Sequence, residues 1–117
     1  MARILALVDD LFFQARLRET ARHVGVEVQT VATGEAFLAE AQRESPALAV
    51  VDLNARTAAV EAIATLRAAG LHTPVIGFFS HVQAELAERA RAAGCDRLLP
   101  RSQFTRELPT ILAEVKS

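Results

Sequence analysis

The chain has 117 residues, the size of one ordinary domain, so a single domain over residues 1–117 with no separate output domain is expected. With 51% hydrophobic and 23% charged residues it can bury a core and is not a disordered chain. A net charge of −1 gives no electrostatic grip on nucleic acid or on an anionic membrane, and one cysteine, Cys95, excludes an internal disulfide or a multi-thiolate metal site.

Apolar runs of strand length alternate with longer amphipathic stretches. The opening MARILALVDD carries a short apolar run that ends in two acids, which fits neither a signal peptide nor a membrane span and points to a soluble, cytoplasmic protein. Within it Ile4–Val8 reads as the first strand, and Phe12–Val24 follows as a helix with Phe13, Leu17, Ala21 and Val24 on one face. Val26–Val31 is the second strand and Glu35–Arg43 the second helix; Leu48–Val51 and Ala58–Ala69 form the third pair. Val75–Phe79 and Gln83–Ala93 form the fourth, and Arg97–Leu99 and Thr105–Val115 the fifth.

Gly25, Gly70 and Gly94 each fall just past a predicted helix, where positive φ stops it. Thr105 suits the cap of the last helix, which would leave Pro109 in its first turn. Strands alternating with helices give a parallel sheet with right-handed crossovers. The fold expected is α/β: one doubly wound (βα)5, flavodoxin-like unit, five parallel strands in the order 2-1-3-4-5. In such sheets ligands bind beyond the carboxyl ends of strands 1 and 3, where the winding reverses.

Of four aspartates, three fall at that place: Asp9 and Asp10 directly after strand 1, and Asp52 directly after strand 3. Like charges so close need neutralising, and a hard divalent cation such as Mg²⁺, with one or two carboxylates and some waters, is the natural remedy. One carboxylate can then act as a nucleophile toward a phosphoryl group. The blander alternatives are that Asp10 caps the first helix and that Asp52 is a loop acid. A small flavodoxin-like enzyme or nucleotide binder is a further alternative, but VDDLFFQ offers carboxylates where a phosphate cradle needs glycines and free amides. His81, beside Ser80, is the nearby histidine that a hydrolase would need, and a lone surface histidine is more often solvated.

The acid pair in ILALVDD, the strand-end Asp in LAVVDLN, the GCD before the last strand and the (βα)5 order resemble the receiver domain of bacterial two-component response regulators over essentially the whole chain. The resemblance implies a signalling module, not an enzyme. Asp52 would be the phosphoacceptor, supplied by a histidine kinase or phosphotransfer protein. Asp9, Asp10 and Asp52 would hold Mg²⁺ together with the backbone carbonyl of Asn54. The face of the fourth helix, fifth strand and fifth helix would meet an output protein. The family's strand-4 hydroxyl falls on Phe79 by counting from Pro74, or on Ser80 with a one-residue shift; its strand-5 Lys-Pro falls on Arg101 and Ser102. Arg101 and Ser80 are then the candidate phosphoryl contacts, although an Arg's planar fork is not a Lys. The loop NARTAAVEA lacks the Met-Pro and Asp-Gly usual after the acceptor, and Leu98 stands where the family often has a switching aromatic. Two readings of the resemblance follow: a receiver with a modified site, and a pseudo-receiver that binds a partner without phosphorylation.

Arg89, Arg91, Arg97, Arg101 and Arg106 crowd the last third of the chain, but Glu85, Glu88, Asp96 and Glu107 are interspersed, as on a solvated face of mixed sign. Cys95 is expected to be a small buried residue. Phe12, Phe13, Phe37, Phe78 and Phe104 are expected mostly in the core, although an exposed Phe12 beside the acid pair would mark an interface.

Overall fold

In the computed structural model, residues 2–80 and 83–116 are described; His81 lies outside them. Strands and helices alternate without exception: β1 (Arg3–Leu7), α1 (Leu11–Val24), β2 (Glu27–Val31), α2 (Gly34–Arg43), β3 (Leu48–Asp52), α3 (Ala59–Ala68), β4 (Val75–Phe79), α4 (Ala84–Ala93), β5 (Arg97–Pro100) and α5 (Arg101–Lys116). All the strand pairs are parallel and the order is β2-β1-β3-β4-β5, as the alternation predicts.

Every residue of β1 and β3 is buried, because helices cover both faces of the sheet and leave no solvent side for a polar residue to alternate with. Strand pleating divides the core into two layers. Ile4, Ala6, Val50, Ile76 and Phe78 face α1 and α5, where they meet Phe13, Leu17, Phe104, Leu108 and Leu112. Leu5, Leu7, Ala49, Val51 and Val75 face the other way, onto Phe37, Ala41, Ile63, Leu66 and Ala90 of α2, α3 and α4.

The helix ends follow the sequence chemistry where that chemistry is local. Gly25 and Gly94 are left-handed caps at φ 90° and 111°, and Gly70 has φ 82°. Thr33 caps α2 by accepting from the Ala36 N–H at 3.1 Å. The start of α5 is different from expectation: the helix begins at Arg101, directly after β5, so Thr105 is not its cap and Pro109 lies in its interior, on the exposed side. The Thr105 hydroxyl instead donates back to the Arg101 carbonyl at 2.8 Å, inside the first turn. The physical reason is Phe104: winding residues 101–104 into helix drives its ring fully into the α1–α5 core layer, and this burial outweighs the local cap signal.

Candidate functional site

The carboxyl ends of β1 and β3 bring the acids together. Asp52 is the last residue of β3, only 5% exposed, and sits in register with Phe78 of β4. Its Oδ1 accepts from the Asn54 N–H at 2.9 Å, a local turn that fixes the carboxylate. Asp9 follows β1, and its Oδ2 accepts from the Arg56 N–H at 2.9 Å, across the mouth of the site. Asp10 is the N-cap of α1: its Oδ1 accepts from the amides of Phe12 and Phe13, at 2.9 and 3.2 Å. Its other oxygen, Oδ2, accepts from Arg101 Nη2 at 2.9 Å. The cap reading of Asp10 is therefore realised, together with an ion pair that the sequence does not announce.

Arg101 reaches the site from the far end of the chain. Its guanidinium also lies 4.5 Å over the ring of Phe13, whose position is fixed by Phe78 and Phe104, with ring centroids 4.9 and 6.0 Å away. Two further residues shape the site without belonging to any motif. Gln14, buried in α1, donates through Nε2 to the Val8 carbonyl at 2.6 Å and holds the strand-to-helix turn that carries Asp9 and Asp10. Arg56 acts through its backbone N–H, which no side-chain pattern can reveal.

At the end of β4 the strand closes on Phe79, opposite Pro100 of β5, and Ser80 is the next residue, exposed to solvent. The Phe79 ring packs half-buried on the α2–α3–α4 side, the opposite layer from Phe78. Ser80 is tied to the site through its backbone: its N–H donates to Asn54 Oδ1 at 2.6 Å. Asn54 thus spans from Asp52 to Ser80, with its own N–H on the first and its side-chain oxygen on the second.

The electrostatics separate the acids. The Arg101 hydrogen bond, followed by the Phe13 amide, holds Asp10 below the ordinary carboxylate range. Burial pushes Asp52 above it; the Asn54 N–H and the charge of Arg101 pull the other way, and the charges of Asp9 and Asp10 add to the rise. A raised folded value means that folding takes up a proton as pH rises from the ordinary 3.8 to that value, so stability falls across this window and the loss persists at neutral pH. Asp52→Asn keeps an acceptor for the Asn54 N–H and removes the charge. In chelator-treated buffer it is expected to melt above the wild type at pH 7, with the difference gone below the ordinary carboxylate range; an equal or lower melting temperature at pH 7 would contradict it.

No group of three His, Cys, Asp or Glu side chains among the described residues is arranged to hold a metal ion. The donors that fit Mg²⁺ are fewer. Among the described residues Asp9 and Asp52 each have one oxygen engaged by an amide, and two carboxylates with a backbone carbonyl, that of Asn54, are a donor set that Mg²⁺ accepts with waters completing its shell. Asp10 has both oxygens committed.

Similar folds occur among solved structures. The chemotaxis response regulator CheY4 of Vibrio cholerae superposes with a TM-score of 0.85 at 24% identity, covering 98% of each chain. The chain has the receiver-domain fold. The beryllofluoride-activated DrrB receiver domain superposes at 0.81 and 20% identity over 99% of this chain and 97% of that one. The Mn²⁺-bound form of the response regulator Rcp1 does so at 0.79 and 18%, over 100% of this chain and 93% of its own. No protein-family model matches the sequence, and no curated protein does. No helix among the described residues is long and apolar enough to cross a membrane. In the receiver fold the edge occupied by Asp9, Asp10, Asp52 and Arg101 is the topological switch point, the ligand edge of a doubly wound sheet.

Proposed function

We propose that the chain is a signalling module of the receiver type that accepts a phosphoryl group on Asp52. One observation carries this: Asp52 is a buried carboxylate at the carboxyl end of the central strand, pinned through one oxygen and with its other oxygen unclaimed among the described residues. In the step we envisage, that oxygen attacks the phosphorus of a phosphohistidine on a histidine kinase or phosphotransfer protein. The P–N bond breaks, its electron pair returns to the imidazole, which takes up a proton, and an acyl phosphate forms on Asp52. Asp9, Asp52 and the Asn54 carbonyl would hold Mg²⁺, which when bound supplies positive charge to offset the incoming phosphoryl group.

Leu11 and Phe12, 75% and 91% exposed beside Asp10, give a donor protein an apolar foothold at the site. The face of α4, β5 and α5 is the surface we assign to an output partner. The test is to incubate the protein with Mg²⁺ and acetyl phosphate, or beryllofluoride, and to map the adduct by mass spectrometry or fluorine NMR. An adduct on Asp52 that Asp52→Asn abolishes is the expected result; wild type that stays unmodified over the course of a reaction that labels a typical receiver sinks it. A second reading, a partner-binding module without phosphoryl transfer, draws support from Phe79, which puts a ring and no hydroxyl at the end of β4. It predicts that Asp52→Asn leaves partner binding unchanged.

A further inference from the structure

Asp10 and Arg101 are paired across the site, Arg101 Nη2 donating to Asp10 Oδ2 at 2.9 Å. Arg101 is the first residue of α5, at the positive end of the helix dipole, where a cation is disfavoured. It is held there by Asp10 Oδ2 and by the face of Phe13, a ring wedged against Phe78 and Phe104. Asp10 is held as firmly from its side, since its other oxygen caps α1 through two amides. To release Asp10 to a metal, the cluster must give up the ion pair or the cap.

We infer that Arg101 is a resident counter-cation that gates the acid cluster against divalent metal. While its guanidinium is on Asp10, a cation meets only Asp9, Asp52 and the Asn54 carbonyl, with a fixed positive charge beside them. Both Arg101 and Asp10 are 34% exposed, so the pair opens by a side-chain swing rather than by unfolding: it is a gate and not a plug. This rests on the reading of the cluster as the metal edge of a receiver. The same contacts offset the mutual repulsion of the three carboxylates: amides hold one oxygen on each, and Arg101 pairs with the second oxygen of Asp10.

Mn²⁺ alone, titrated into the intact chain without a phosphodonor and followed by the EPR signal of the free ion, tests the gate. Arg101→Gln is expected to bind Mn²⁺ about tenfold more tightly than wild type, about 1.4 kcal/mol, while Arg101→Lys, which keeps the charge, stays near wild type. Should the Gln variant not fold by circular dichroism, Arg101→Met replaces it, its apolar stem remaining on Phe13. Equal or weaker binding by the neutral variant overturns the gate, as does an absence of Mn²⁺ binding by both proteins. If the affinity rises but Asp52 takes no adduct from acetyl phosphate, the gate stands and the phosphoryl reading of Asp52 fails.

Discussion

Phe78→Ala is expected to destabilise the fold by about 3–5 kcal/mol and to lower its melting temperature by on the order of 10 °C or more. Phe78 is fully buried at the centre of an aromatic cluster, stacked on Phe104 at 4.8 Å and 3° between planes and tilted against Phe13 at 4.9 Å. Removing it leaves a void bounded by two rigid rings and by the β-sheet, none of which can relax far into the gap, so both the transfer term and the cavity term are lost. The same ring supports the site, because it lies in register with Asp52 and backs the Phe13 ring that carries Arg101. Phe37→Ala, at an equally buried ring in the other core layer, is the control: a comparable loss of stability, with no change in Mn²⁺ affinity. Urea unfolding measures both, and a loss under about 1 kcal/mol at Phe78 would mean that α1 and α5 collapse onto the gap.

What the sequence discloses and what it hides divide along the range of the interactions. The strands are legible because Ile4–Val8, Leu48–Val51 and Val75–Phe79 are apolar runs of strand length, and the sheet order follows from their alternation with helices. Gly25 and Gly94 are legible because a left-handed cap is a property of one residue. The start of α5 was hidden because Thr105 carries a local cap signal, whereas the burial of Phe104 that sets the helix depends on rings from β4 and α1. At the site, the positions of Asp9, Asp10 and Asp52 follow from the strand ends. The Asp10–Arg101 pair spans 91 positions and has no pattern to mark it. Gln14 reads as one polar residue in an amphipathic helix, yet is buried on the Val8 carbonyl. The spacing from Pro74 favours Phe79 as the last residue of β4, and the register puts it there; the fate of the Ser80 hydroxyl is not a matter of spacing at all.

Arg67→Ala is expected to lose about 2–4 kcal/mol, which is large for a residue outside the core. The Arg67 guanidinium donates to the carbonyls of Leu71 and Thr73 at 3.0 and 2.7 Å, to the Gly94 carbonyl at 3.2 and 2.9 Å, and to Asp96 Oδ2 at 3.0 Å. It therefore ties the end of α3 to the end of α4 and to the entry of β5. Gly94 makes the approach possible: a β-carbon there would lie 2.7 Å from Arg67 Cγ, and its φ of 111° is costly for any other residue. Asp96 Oδ2 also accepts from the Val75 N–H at 2.8 Å, so the GCD segment, ending just before β5, locks the entry of β5 against the first residue of β4. Four residues beyond the start of β5 stands Arg101, which makes this remote clamp the element that sets where the counter-cation enters the acid cluster. Arg67→Lys is expected to recover less than half of the loss, because one ammonium cannot span carbonyls on both sides of the planar fork. Full rescue by Lys in urea unfolding would show that charge, and not the forked geometry, holds β5 in place.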